Sequence, residues 1–222
     1  MSSLLAVIPA RAGSKRLAGK NLLPLAGKPL IAWTIDAARN SRLVTRTVVS
    51  TEDERIAECA RQHGAEIPVM RPASMARDDS SGMDPILHMI EWLDRHEHYR
   101  PDTVIVLQPT SPLRTAEDID AAMRAMNAAG ASSVVSVAPV GAPGSWLRTV
   151  GADQRLRPVT AEGDELYVLN GAIYAARTDI ILSARQMDDG APAAYVMPRE
   201  RSVDIDARED FDLAASLLMG HR

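Results

Sequence analysis

Short β-branched runs alternate with amphipathic helical patterns along this 222-residue chain, and that alternation constrains its fold more than any other feature. Leu4–Ile8 reads as a first buried strand and Leu30–Arg39 as the helix after it. Thr47–Ser50 is a second strand. Thr51 and Glu54 have the Thr-x-x-Glu spacing of a capping box, opening a helix that ends near Gly64. Ile67–Met70 is a third strand candidate. Ile86, Met89, Ile90 and Leu93 recur at i, i+3, i+4, i+7, which marks one buried helix face. Thr103–Leu107 is strand-like, Ile119, Ala122, Met123 and Met126 repeat the helical spacing, and Ser133–Ala138 is the next strand. This order predicts an α/β fold, a parallel sheet with helices on both faces.

The pattern breaks after Pro139. Residues 139–170 contain Gly141, Pro143, Gly144, Gly151, Pro158 and Gly163, which predicts an irregular or β-hairpin insertion. Gly171–Ala176 and Ala194–Met197 resume the strands, and Phe211, Ala214, Ala215 and Leu218 give a closing helix. The reading is a single domain over residues 1–222 with an insertion at about 139–170.

Composition excludes several classes. A net charge of -4 argues against a bulk affinity for nucleic acid. No apolar run approaches the roughly 18 residues of a membrane span, and the start lacks the basic flank of a signal peptide. Cys59 is the sole cysteine, which rules out an internal disulfide and suits a reducing compartment. The expectation is a cytoplasmic protein without membrane or nucleic-acid partners. His63, His88, His96, His98 and His221 show no metal-ligand spacing.

Two segments carry most of the chemistry. Ile8–Asn21 leaves a buried strand and holds Arg11, Lys15, Arg16 and Lys20 among Gly13 and Gly19. Glycines let backbone N–H groups approach phosphate oxygens, and the cations suit a triphosphate whose leaving pyrophosphate gains negative charge. No Walker motif occurs. The second segment is Ser202–Asp206. If it is extended, Asp204 and Asp206 share one face and Ile205 takes the other. Adjacent carboxylates repel unless a cation lies between them, and Mg²⁺ typically takes one or two carboxylates plus phosphates and waters. The simpler alternative is that Asp206 only caps the last helix.

Three further segments are weaker. Gln108, at the end of a strand, can hydrogen-bond a polyhydroxyl substrate, while Arg114 can equally serve structure. Arg71 precedes Asp78, Asp79, Ser80 and Ser81, serines that can cap a helix near Asp84. Asn170 and Gly171 begin the strand through Tyr174, where Asn170 either binds ligand or shapes a turn.

Together, IPARAGSKRLAGKN (8–21), GKPLIAWTI (27–35), VVSTEDERIAECA (48–60), RPASMARD (71–78), VLQPTSPLRT (106–115), SVVSV (133–137), NGAIY (170–174) and SVDIDAREDFDLA (202–214) resemble the acylneuraminate cytidylyltransferases in order and across nearly the whole chain. The resemblance implies a Rossmann-like nucleotidyltransferase fold and a homodimer formed through an arm at about 139–170. It implies that Ala10, Arg11, Gly13, Ser14, Lys15, Lys20, Asn21 and Arg71, with Ser81 nearby, hold CTP. Gln108, Asn170 and Tyr174 would face a nonulosonic acid, and Asp204 and Asp206 would hold Mg²⁺. Arg11, Lys15, Asp204 and Asp206 would then be catalytic. The sugar's anomeric hydroxyl attacks the α-phosphorus, and Asp206 or a metal-bound hydroxide takes the proton.

Related 3-deoxy-manno-octulosonate enzymes typically carry Q-G-D-E-P where this chain has Gln108–Pro112, so that sugar is the minor alternative. Gly82 stands where a hydroxyl is expected, and Ala142-Pro143-Gly144-Ser145-Trp146 replaces a His-Pro pair followed by lysine. Both departures leave the choice among neuraminate, ketodeoxynonulosonate, legionaminate and pseudaminate open. A sugar 1-phosphate nucleotidyltransferase and a catalytically silent nucleotide-binding module are the rivals. Asp204, Asp206, Lys15 and Lys20 together argue against the silent module. Lys15→Ala removes one charge aimed at the leaving group, so turnover is expected to fall about 10²–10³-fold. The melting temperature should stay put, and steady-state rates with a thermal melt check both.

Overall fold

The computed structural model describes residues 2–13, 16–77, 80–152, 154–159 and 165–220. Ser14, Lys15, Asp78, Asp79, Gly163 and His221 lie outside the described residues. The chain opens with β1 (Leu4–Pro9), followed by the short ribbon β2 (Pro24–Leu25) and β3 (Lys28–Pro29) and by α1 (Leu30–Asn40). Next come β4 (Arg46–Ser50), α2 (Glu54–Gln62), α3 (Asp84–Glu97), β5 (Thr103–Leu107), α4 (Ala116–Ala128) and β6 (Ser133–Pro139). The remainder is β7 (Arg148–Val150), β8 (Leu156–Pro158), β9 (Tyr167–Arg177), α5 (Thr178–Ala184), β10 (Ala193–Val196) and α6 (Arg208–Gly220).

The central sheet has the order β10-β6-β9-β5-β1-β4. β1 shows why it is central. Leu4, Ala6 and Ile8 pack on one face with Ile31 and Ile35 of α1 and Ile119 and Met123 of α4. Leu5 and Val7 turn to the other face, against Ile86, Met89, Ile90 and Leu93 of α3. A strand with both faces covered must be apolar throughout, and Leu4–Ile8 is. The α/β architecture expected from the alternation is present.

Three local expectations are corrected. First, the sheet is mixed: β9 runs antiparallel to both β5 and β6, while the other pairs are parallel. The cause is the insertion. It leaves β6 at Pro139 and returns at Tyr167 opposite it, so the re-entering strand is the second arm of a hairpin and must run backwards. The insertion itself holds the antiparallel ribbon β7–β8. Second, Ile67–Met70 is not a strand. Glu66 makes one isolated bridge to Val48, and Pro68, which has no N–H to donate, follows at once. Third, Asp53 caps α2, not Thr51: its carboxylate accepts from the N–H groups of Arg55 at 2.8 Å and Ile56 at 3.4 Å.

The start of β9 is also revised. The strand begins at Tyr167 and runs straight through Asn170 and Gly171. Those two turn-type residues mark an irregularity in the pairing with β6, which lies between Val135 and Val137. Ser136 closes it: its hydroxyl accepts from the Ile173 N–H at 2.8 Å and donates to Asn170 Oδ1 at 2.6 Å.

A buried carboxylate locks the C-terminal segment onto this frame. Asp118 completes a capping box with Thr115 at the start of α4. The same carboxylate accepts from the Tyr195 hydroxyl at 2.8 Å and from Arg201 at 2.8 and 3.1 Å. It thereby joins α4, β10 and the turn before Ser202. Burial pushes the Asp118 carboxyl up, but Arg201, the Thr115 N–H and Tyr195 together hold it below its usual value. A depressed folded-state pKa gives stability that is present above the unfolded value near 3.9 and is lost as pH falls through the folded value. Asp118→Asn is therefore expected to cost about 2–3 kcal/mol at neutral pH. It should also flatten the loss of stability below about pH 4, which urea unfolding across a pH series measures.

Candidate active site

β1, β4 and β5 are parallel, so their carboxyl ends at Pro9, Ser50 and Leu107 lie along one edge of the sheet. Ligands of open α/β sheets bind outside that edge. A cleft of about 420 Å³ opens there. The loop after β1 lines it with Arg11, Gly13, Arg16, Lys20 and Asn21, the loop after β5 with Gln108, Pro109 and Thr110, and the C-terminal segment with Asp204 and Asp206.

The carboxylate pair arrives as the extended reading requires. Ile205 is fully buried with Leu25, Leu30, Phe211 and Ala214, so its neighbours on either side turn outward. The Ile205 N–H donates to the Thr110 carbonyl at 2.8 Å and fixes the segment to the loop after β5. Asp206 does not cap α6. Asp210 does that work, accepting from the N–H groups of residues 206 and 207 at 3.0 and 2.8 Å. The Asp206 carboxylate instead meets Arg16 at 3.0 Å and Lys20 at 3.7 Å.

Charge dominates this cleft. Asp204 is open to it, yet lost hydration holds its carboxyl above the usual range, and the Asp206 charge adds to that. Thr110 and Lys20 pull the other way. Lys20 is only 13% exposed in its side chain and donates to the Ile205 carbonyl at 2.6 Å. Desolvation lowers its pKa, while Asp206 and Asp204 oppose the fall. Among the described residues, no cluster of three or more His, Cys, Asp or Glu side chains is disposed to hold a metal. Two carboxylates alone are a partial set, of the kind that Mg²⁺ completes with phosphate and water oxygens.

The loop after β1 is held from below. Gly19 takes a left-handed conformation at φ 63°, which starts the turn Lys20–Leu22. Gly13 has no such requirement. The buried amide of Asn21 donates to the Arg11 carbonyl at 2.9 Å. Ala10 is buried and donates its N–H to the Ser50 carbonyl at 3.0 Å.

The remaining residues singled out in the sequence occupy varied positions. Gln108 lines the cleft. Tyr174 is half-buried on the α3 face, its hydroxyl held up by burial and by the Asp204 charge. Asn170 is buried, with its amide committed to Ser136, Ser202 and Met197, and is not among the cleft-lining residues. Arg71 is buried and ion-paired with Glu52. Ser81 accepts from the Met83 N–H at 3.2 Å, ahead of α3, and lies outside the cleft lining. Sequence reasoning missed Glu52. One of its oxygens takes Arg71 and the other accepts from the Ala12 N–H at 2.7 Å, so it links the two segments expected to meet the nucleotide. Its place in a helix-start pattern hid that role.

Fold and site together define a nucleotide-handling α/β enzyme. The chain matches the family model described as cytidylyltransferase over residues 5–217. It is 37% identical to the CMP-N,N'-diacetyllegionaminic acid synthase of Legionella pneumophila, over 97% of this chain and 96% of that one. It is 32% identical to the N-acylneuraminate cytidylyltransferase of Escherichia coli, over 97% of this chain and 52% of that protein, so it spans about half of that longer relative. The solved structure of a CMP:2-keto-3-deoxy-manno-octonic acid synthetase complexed with CTP superposes with a TM-score of 0.74 at 21% identity, over the full length of both chains. The chain belongs to the cytidylyltransferase family and is a nucleotidyltransferase.

Gly171 brings β9 against the acidic pair. It has φ 73°, and a Cβ there would stand 3.2 Å from Asp204 Oδ2. Gly171→Ala is expected to lose about 1–2 kcal/mol through the left-handed backbone, and turnover should fall as Asp204 shifts. Gly82 has open space and no positive φ, so Gly82→Ala should stay within about 0.5 kcal/mol of the parent. Thermal melts and steady-state rates compare the two.

Proposed function

We propose that this chain transfers CMP from CTP to the anomeric hydroxyl of a sialic-acid-like nonulosonic acid, releasing pyrophosphate. What carries the reading is the meeting of the cationic loop after β1 with Asp204 and Asp206 in one cleft, in a chain that aligns end to end with a CMP-diacetyllegionaminic acid synthase. Arg11, Arg16 and Lys20 line the cleft as phosphate ligands, and Lys15 and Ser14 belong to the same loop. Gly13 and Ala10 offer backbone, Asn21 holds the Arg11 carbonyl, and Arg71 and Ser81 flank the nucleotide. Gln108 and Tyr174 receive the sugar acid, beside a strand that Asn170 braces through Ser136.

Asp204 and Asp206 would hold Mg²⁺, which neutralises phosphate charge and makes the attacking hydroxyl more acidic when bound. Two mutually repelling carboxylates, one of them already above its usual pKa, fit a divalent cation. Lys20 and Arg16 supply the opposing charge at Asp206 and stand ready to turn to phosphate. As the sugar hydroxyl attacks the α-phosphorus, its proton passes to Asp206 and the bond between the α-phosphorus and the oxygen bridging to the β-phosphate breaks. Arg11, Lys15 and Lys20 then stabilise the charge that collects on pyrophosphate.

The chain acts as one cytidylyltransferase domain with an arm at about 139–170. Two copies pair through that arm, a reading supported by Trp146, Val150, Leu156 and Leu169, which are 74%, 63%, 68% and 63% exposed. No helix among the described residues is long and apolar enough to cross a membrane. A cytoplasmic site follows from the use of CTP and from the lone free thiol of Cys59.

The test is pyrophosphate release with each nucleoside triphosphate, Mg²⁺ and a panel of nonulosonic acids and 3-deoxy-manno-octulosonate. CTP with a nonulosonic acid should react, and ATP or GTP should not. Comparable release with a purine nucleotide, or none with any nine-carbon acid, would sink the proposal. Asp204→Asn and Asp206→Asn should each abolish most turnover, since metal charge stabilisation is worth several kcal/mol. Asp204→Asn should melt at or above the parent temperature, because a repulsion is removed, whereas Asp206→Asn should melt slightly lower, because it also gives up the pairs with Arg16 and the desolvated Lys20. Unchanged rates over a Mg²⁺ titration would refute the metal assignment.

A further inference from the structure

Arg114 follows the loop after β5 and is 2% exposed. One nitrogen, Nη1, donates to two carbonyls: Ala172 at 2.9 Å and Gln108 at 3.2 Å. The ladder between β5 and β9 ends at the Leu107–Ile173 pair. Gln108 and Ala172 are the next residues outward on each strand, where the two chains part. Beyond Gln108 the chain forms one lip of the cleft through Pro109 and Thr110. On the other strand, Gly171 abuts the Asp204 carboxylate.

A buried guanidinium is a demanding choice for this place. Its Nε and Nη2 have no hydrogen-bond partner among the described residues, and orphaned buried donors are rare without a reason. Burial pushes its pKa down to about 9, with Asp118 opposing, so it stays charged at neutral pH. Asp118 is already engaged by Arg201 and Tyr195. The hydrogen bonds of Arg114 go wholly to two backbone carbonyls on different strands, so what the side chain supplies here is geometry.

We propose that Arg114 is a positioning residue: by bridging the Gln108 and Ala172 carbonyls at the point where β5 and β9 part, it sets the spacing between the sugar-facing lip and the carboxylate-bearing side of the cleft. This rests on the transfer reaction proposed above, since the spacing it sets is that between sugar acid and α-phosphate. Lysine in its place keeps charge, but its flexible stem and strongly hydrated ammonium do not hold one nitrogen at both carbonyls as the planar guanidinium holds Nη1. Misplacement of reacting groups by about 1 Å costs on the order of 10²-fold in rate.

Arg114→Lys should therefore lower kcat with the sugar acid by about 10²-fold while leaving the KM for CTP little changed. Arg114 also lines a cavity of about 770 Å³ beside Trp33 and Leu113, which gives a small cation a way in. In folded Arg114→Ala, millimolar guanidinium should restore turnover, whereas equimolar sodium or ammonium should not. Amide exchange over residues 108–111 and 203–206 should quicken in Arg114→Lys, a readout that needs no substrate. If the parent protein fails with every sugar, the transfer reading falls and the exchange experiment still judges Arg114. Parent-like kcat or parent-like exchange in folded Arg114→Lys overturns the proposal. So does a loss of activity that follows the folded fraction alone, or the absence of guanidinium rescue in folded Arg114→Ala.

Discussion

Two carboxylates placed side by side in a cleft set the terms for everything around them. Asp204 loses hydration and feels Asp206, and both effects raise its proton affinity. Arg16 and Lys20 answer that charge from the loop after β1, and Lys20 gives up hydration to do so. The cleft is therefore poised between opposite charges, each partly desolvated. On the reading proposed above, a triphosphate and a divalent cation would satisfy both sides at once, with phosphate for the cations and metal for the carboxylates.

Holding such charges together requires a frame that does not yield. The segment bearing the carboxylates has no regular structure of its own between residues 202 and 206. It is instead pinned from three directions. Ile205 is buried against α6 and the β2 ribbon, the Ile205 N–H is tied to Thr110, and the preceding turn is anchored through Arg201 to Asp118. Glu52 performs the matching service for the loop after β1 by joining Ala12 to Arg71. The site is thus loop-built, but each loop ends on a buried polar contact.

The reversed strand β9 joins two parts of the enzyme. At one end it emerges from the arm, whose apolar side chains stand exposed. Further along, at Asn170 and Gly171, its pairing with β6 is irregular, and Gly171, which has no Cβ, comes close to Asp204. The arm is therefore linked, along one continuous strand, to Gly171 beside Asp204. Any side chain at position 171 would bring a Cβ to 3.2 Å from Asp204 Oδ2.

Much was legible from the chain alone. Apolar runs at Leu4–Ile8 and Thr103–Leu107 marked strands with both faces covered, and helical spacing in Ile86–Leu93 marked a helix with one buried face, because these periods report local geometry. The cations of 11–20 and the pair Asp204–Asp206 were visible as types and spacings, and the extended reading of Ser202–Asp206 agreed with burial of Ile205. Tertiary structure alone decided the rest. The direction of β9 follows from where a long insertion re-enters the sheet, which no local window contains. Pairing of Asp206 with Arg16 spans 190 positions, and Arg114 reaches Ala172 across 58. Asn170 read as a possible ligand, and only packing showed its amide spent on Ser136 and Ser202. A sequence states which groups are available, whereas which of them remain free to meet a substrate depends on hydrogen bonds formed between distant segments, and these exist only once the sheet has closed.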